Sequence, residues 1–147
     1  MAKFVYRMQS ILDVKEKLEE QAKNEFAKAR IHLDEEIAVL DKIKARRSEY
    51  EEEGRILRQS VLDIKKLTEN QYAIDRMDEA VAAQEIEVQK ARKELDKASA
   101  NLVKAMQETK IQNKLKEKAF EQFKKDLVAQ EMKEVDELTS YTYGQKA

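Results

Sequence analysis

Apolar residues recur along this chain at helical spacing almost from end to end. In the first third the apolar positions are Phe4, Met8, Ile11, Leu18, Ala22, Phe26, Ala29, Leu33, Ile37, Leu40 and Ile43, with Lys15 in the slot between Ile11 and Leu18. Steps of three and four residues place them on one helical face. The early steps form heptads. From Leu18 to Leu40 they repeat as four-four-three, which straightens a coil. A second seam starts at Ile74 and alternates three and four without a break through Met77, Val81, Gln84, Val88 and Ala91, and on to Phe123. Its residues at Ala91, Ala98, Ala105, Thr109 and Gln112 are small or polar, so each buries little apolar surface. The stretch of Thr109, Gln112 and Lys116 is expected to pair only loosely.

Between the two patterns lies the punctuation. Gly54 is the one glycine before the C-terminal tail, and glycine commonly follows a helix end. Ser60 with Asp63 three residues on is a variant of the capping box that opens a helix. The expected fold is therefore all-α: a long antiparallel two-helix coiled-coil hairpin with an overhanging C-terminal helix. Helix 1 covers about 3–53, the turn 54–60, helix 2 about 61–140, and a frayed tail 141–147, all in one domain. A competing break at Thr68–Gln71, with Asn70 as breaker, would equalise the helices. A further alternative is one uninterrupted helix in a parallel homodimeric rod. A turn near residue 61 makes facing residues sum to roughly 122, so Leu33 meets Val88 and Ala91, and Phe26 meets Leu95 and Ala98. Large residues then face small ones, as an interdigitating seam requires. Helix 2 runs past helix 1 from about Ala119, leaving Phe120, Phe123, Leu127, Val128, Val135 and Leu138 without a partner in the chain. A lone helix with an apolar stripe calls for one.

Composition sharpens this picture. The 147 residues include no Pro, Cys or Trp, and 40% are charged. Such usage marks a long helix or coiled coil rather than a compact core. Lys plus Arg number 29 and Asp plus Glu 30, intermixed, so the basic stripe of a nucleic-acid binder is missing. No apolar run is long enough to span a bilayer. The N-terminus has no signal-peptide core. A cytoplasmic protein is expected, reaching the membrane only through partners, and a monomer is expected.

Catalytic chemistry finds no foothold. Two isolated glycines cannot build a phosphate-binding loop. His32 is the one histidine, too few for a zinc site, and it reads as a surface residue. There is no cysteine nucleophile and no Ser-His unit. Carboxylates abound, but on solvated helices without a pocket. No catalytic residue, cofactor or metal is expected, and the function read from the residues is to bind other proteins.

The N-terminal segment Phe4-Val-Tyr-Arg-Met-Gln-Ser-Ile-Leu-Asp, followed by a Lys-Glu run and Phe26-Ala-Lys-Ala29, resembles the flagellar type III export protein FliJ family. Glu49-Tyr50, Tyr72-Ala-Ile-Asp-Arg-Met-Asp-Glu-Ala-Val81 and the C-terminal Met132-Lys-Glu-Val-Asp-Glu-Leu138 fit as well. The resemblance implies an antiparallel coiled coil similar to the central stalk of rotary ATPases, although a true rotary stalk subunit carries an extra domain for which there is no room. It implies binding of the hexameric flagellar export ATPase (FliI) by the end where both termini lie, through Phe4, Met8, Ile11, Phe120, Phe123, Leu127, Val135 and Leu138. It also implies contact with the export gate protein (FlhA) near the tip, through Ile43, Tyr50, Ala73, Met77, Ala80 and Gln84, and with substrate chaperones. The chain departs from some relatives in having Arg46 where a second Tyr can occur and Ala73 where a bulky aromatic is found. On spacing alone Ile43, Met77 and Ala80 are seam residues. Gln84, the polar residue in an apolar stretch, suits a register-fixing role.

Overall fold

A computed structural model describes residues 2–146. Two helices, α1 (Gln9–Leu57) and α2 (Ile64–Lys146), pack against each other as an antiparallel hairpin. Residues 58–63 join the two helices. Intrachain contacts such as Asn70 Nδ2 donating to the Tyr50 carbonyl (2.8 Å) and Gln84 Nε2 donating to the Glu36 carbonyl (3.0 Å) rule out the uninterrupted rod. They pair residues whose numbers sum to 120, close to the expected register.

The boundaries differ from expectation at every end. Residues 2–8 precede α1, which starts only once the Gln9 amide reaches the Tyr6 carbonyl (3.1 Å) and the Leu12 amide the Met8 carbonyl (3.1 Å). At the other end α1 continues past Gly54 to Leu57. Gly54 has no positive φ and does not stop the helix. It is buried, and a Cβ there would fall inside the van der Waals contact of Asn70 Oδ1 and only 3.3 Å from Asn70 Cγ. The glycine is needed for close approach, not for a left-handed turn. Asn70, the residue of the proposed competing break, is instead a buried helical residue 6% exposed. The start of α2 is capped by Asp63 rather than Ser60. Asp63 Oδ1 accepts from the Lys65 amide at 3.1 Å and the Lys66 amide at 3.4 Å, satisfying donors that a helix start leaves open. The tail expected to fray is helical through Lys146, and Thr139 and Thr142 hydroxyls donate back to the Val135 and Leu138 carbonyls (2.9 Å each). Ala147 lies outside the described residues.

By internal contacts the chain divides into two units, each with a stretch of both helices. The first is Met1–Gln21 with Val103–Ala147, the second Ala22–Leu102. The second unit has an apolar seam. Ala22, Leu40, Ile74, Val88, Ala91 and Ala98 are buried, and Phe26, Ala29, Leu33, Ile37 and Ile43 are half-buried beside them. Every one of these was placed by the periodicity.

The first unit is built differently. Its α2 seam runs through Ala105, Thr109, Gln112, Lys116, Ala119 and Phe123 as the spacing predicts, all buried or half-buried. The loose pairing expected here is replaced by specific polar contacts. Tyr6 Oη donates to Gln112 Oε1 (3.3 Å), Lys116 Nζ to Gln9 Oε1 (2.8 Å), Lys15 Nζ to Glu108 Oε2 (3.0 Å), and Thr109 Oγ1 to the Lys15 carbonyl (3.2 Å). To bring these partners inward, α1 presents Gln9, Leu12, Lys15 and Glu19 to the seam instead of the expected Met8, Ile11 and Leu18. Leu12 is 2% exposed, whereas Ile11 is 41% and Leu18 44% exposed. The expected seam is thus off by one residue at Met8, Ile11 and Leu18, while Lys15 occupies its expected slot.

Candidate partner-binding surfaces

Among the described residues no group of three or more His, Asp or Glu side chains is placed to hold a metal ion, and no helix is long and apolar enough to cross a membrane. His32 stands between Glu36 Oε1 (3.4 Å, the next turn of α1) and Glu94 Oε2 (3.3 Å, on α2), a link between helices on the surface of the second unit. Two surfaces collect the predicted site residues.

The first is at the terminal end, in the first unit. Three rings meet there: Phe4 packs edge-on against Phe120 (centroids 5.1 Å) and tilted against Phe123 (5.5 Å), while Phe120 and Phe123 stack at 6.5 Å. Such ring pairs stabilise beyond their area, by about 0.5–1.5 kcal/mol each. They hold the non-helical N-terminal residues onto α2. Lys124 Nζ lies 4.9 Å from the Phe120 centroid, and that ring is still 42% exposed. Leu127 is half-buried. From Val128 through Gly144 every residue is exposed, including Val128, Met132, Val135, Leu138, Tyr141 and Tyr143. Met8, just ahead of α1, and Ile11, in its first turn, are exposed outside this cluster. The eight residues predicted for this end therefore form three groups: the aromatic cluster of Phe4, Phe120 and Phe123, the length of α2 through Leu127, Val135 and Leu138, and Met8 and Ile11 at the start of α1.

The Lys15–Glu108 pair in this unit responds to pH. The hydrogen bond from Lys15, and secondly its charge, hold the Glu108 carboxyl below its ordinary 4.5, with Lys104 adding to the effect and burial opposing it. A lowered folded pKa contributes stability that is fully present above the unfolded value and is lost as pH falls through the folded one. Both side chains are about a third exposed, so solvent screens the pair and the contribution is small. Glu108→Gln is accordingly expected to be slightly less stable than the parent above about pH 4.5. The difference should vanish on acidification, as read from urea midpoints at several pH values. A constant difference across that range would show that the pair contributes nothing through its charge.

The second surface is the hairpin tip, in the second unit. None of its six predicted residues is freely exposed: Ile43, Tyr50, Ala73, Met77, Ala80 and Gln84 are all half-buried. Gln84 donates to the Glu36 carbonyl and to the Glu36 carboxylate, which fits the register-fixing role. Tyr50 receives a hydrogen bond from Arg46 Nη2 (3.1 Å), and the same guanidinium sits 5.3 Å from its ring centroid. Arg47 bonds Asp78 across the helices and Glu51 one turn on in α1, and these carboxylates hold its pKa above the ordinary value. Tyr50, Ile56, Leu57, Asn70 and Ala73 line a shallow groove of about 390 Å³. The surface that sequence reasoning missed lies just beyond. Ile56, Val61, Leu62, Ile64 and Tyr72 are 55–93% exposed and make the tip itself apolar. The run Ser60-Val-Leu-Asp-Ile64 carries that signal, but it reads equally well as the start of a helix.

Comparison with known proteins agrees with this architecture. Among curated protein sequences none matches significantly. A solved structure from Chlamydia trachomatis, CT670, described as a YscO homologue, superposes with a TM-score of 0.79 at 22% identity over 96% of each chain. At that identity the likeness establishes the two-helix fold. The family model for the flagellar FliJ protein matches residues 4–147, from the Phe4 that anchors the aromatic cluster through the exposed end of α2. Matched over nearly its whole length, the chain belongs to the flagellar FliJ family and is a component of flagellar type III export.

Proposed function

We propose that this protein is a non-enzymatic export component whose terminal end engages the hexameric export ATPase (FliI), in the manner of a rotary-ATPase central stalk, and promotes its assembly or turnover. The observation that carries this reading is the long stretch of α2 from Val128 to Gly144, exposed on all sides and studded with apolar residues. A helix with that much exposed apolar surface gains free energy by entering a partner. The aromatic cluster of Phe4, Phe120 and Phe123 gives this segment a firm base. The apolar tip, with the groove beside Tyr50 and Ala73, is the surface left for the export gate protein (FlhA), and the flanks remain for substrate chaperones. The protein then works in the cytoplasm at the flagellar base, held to the membrane only by its partners.

Ending the chain after Leu127 tests the reading. The expected result is loss of stimulation of the purified export ATPase, with most helical signal retained, because every contact given above between the two helices lies before Val128. Full stimulation by the shortened chain would contradict it.

A further inference from the structure

The charges on the exposed end of α2 are sorted rather than mixed. Residues 113–125 hold five lysines and two glutamates, a net +3. Residues 126–140 hold five carboxylates and one lysine, a net −4. The change of sign falls between Lys125 and Asp126, in the middle of the apolar stripe. A similar sorting occurs at 42–53, where Lys42, Lys44, Arg46 and Arg47 precede Glu49, Glu51, Glu52 and Glu53, but there Arg47 already bonds Glu51 and Asp78 within the chain; the whole chain carries only −1.

A helix that is basic in one half and acidic in the other is complementary to itself when reversed. From this sorting we infer that the C-terminal part of α2 is an interface for a second copy of the chain, paired antiparallel about a two-fold axis beside Leu127 and Val128. An isologous contact of this kind places residue i against j and j against i. With facing numbers summing to about 255, Phe120 lies opposite the mate's Val135 position, and Lys124 opposite its Glu131 position. All four of these residues are exposed in the single chain. Phe120, Lys124, Leu127, Glu131, Val135 and Leu138 follow one another at steps of three and four, so one face of α2 carries both the apolar contacts and the charge pairs. The basic half is reinforced by the N-terminal segment folded onto it through Phe4: Lys3 and Arg7 are exposed there, and residues 2–12 contain no acid. A parallel pairing would instead set like charges against each other along the whole segment, which disfavours it.

This inference does not rest on ATPase binding. It does imply that self-pairing and entry into another protein compete for one surface. Exposed charge pairs are weak and screened by salt, so the dimer forms at high protein concentration and dissociates as ionic strength rises.

The test uses the full chain alone, by sedimentation equilibrium at low and high salt. The expected result is a concentration-dependent dimer, weakened by salt. Lys124→Glu should weaken it about tenfold, since both symmetry-related pairs turn repulsive, and Lys124→Glu/Glu131→Lys should restore it. Because the chain has no cysteine, single cysteines report the geometry. Val128→Cys should form a disulfide-linked dimer with itself, whereas Val135→Cys should link to a Phe120→Cys chain in preference to itself. A monomer at every concentration would overturn the inference. So would a dimer indifferent to charge reversal, or one in which Val135→Cys links chiefly to itself. Failure of the full chain to stimulate the ATPase, with dimerisation intact, would count against the proposed function alone.

Discussion

Replacing Leu12 with alanine is expected to cost about 2–3 kcal/mol, toward the lower end of what removing a buried leucine side chain costs in closed cores, because a two-helix seam can partly collapse. Ile11→Ala, one residue away, should cost less than about 0.5 kcal/mol, as expected for a residue so exposed. Urea denaturation of the two variants measures both. Leu12 is 2% exposed and is the largest fully buried side chain in the described chain, while Ile11 is 41% exposed. The comparison therefore tests which face of α1 is turned inward in the first unit. Equal losses, or a larger one at Ile11, would restore the seam expected from spacing alone.

The second large effect is expected at Gly54. In an exposed helix interior, Gly→Ala stabilises by up to about 1 kcal/mol. Here the added methyl group would occupy the place of Asn70 Oδ1. Gly54→Ala should therefore destabilise by about 1–3 kcal/mol, the usual cost of overpacking. Asn70→Ala alone loses the hydrogen bond to the Tyr50 carbonyl, at a cost of about 1 kcal/mol. The informative variant carries both changes. With the amide gone the methyl group has room, so Gly54→Ala/Asn70→Ala should be more stable than Gly54→Ala by itself. Costs that merely add would show that the two residues do not share the contact, since neighbours that share one depart from additivity.

These two sites mark where the sequence was legible and where it was not. The seam of α2 could be read residue by residue from Ile74 to Phe123, because apolar and small residues hold an unbroken three-four rhythm there. The α1 seam from Ala22 to Ile43 was equally plain. At Ile11 and Leu12, however, two large apolar neighbours compete for one inward position. The choice is made by partners on the other helix: Thr109, Gln112 and Lys116 require Lys15, Tyr6 and Gln9 to face them, and Leu12 comes inward with these. A one-dimensional pattern does not contain that information.

Gly54 and Asn70 posed a different difficulty. Each is a residue that often interrupts helices, and each was read as a possible end of one. In the folded chain they cancel as a pair, the missing side chain of one admitting the amide of the other. The true cap, Asp63, formed part of the recognised signal, but three residues later than the assumed start.

The candidate surfaces were legible in proportion to their exposure. Phe120, Phe123, Val135 and Leu138 stood out because nothing in the chain was left to cover them, and Phe4 proved to cover only part of the first two. At the tip the resemblance pointed to half-buried residues, whereas the apolar surface that a partner would meet first is Val61, Leu62 and Ile64. A tip dockable in this way still needs Tyr50 and Ala73, which line the adjoining groove.

The central claim is that the terminal end of the hairpin, and not its tip, engages the export ATPase. Its most direct test is site-specific cross-linking from single cysteines introduced at Leu138 and at Val61 in this cysteine-free chain, mixed with the assembled ATPase hexamer. Cross-links from position 138 and none from position 61 are predicted. Cross-links from position 61 with none from 138 would contradict the account.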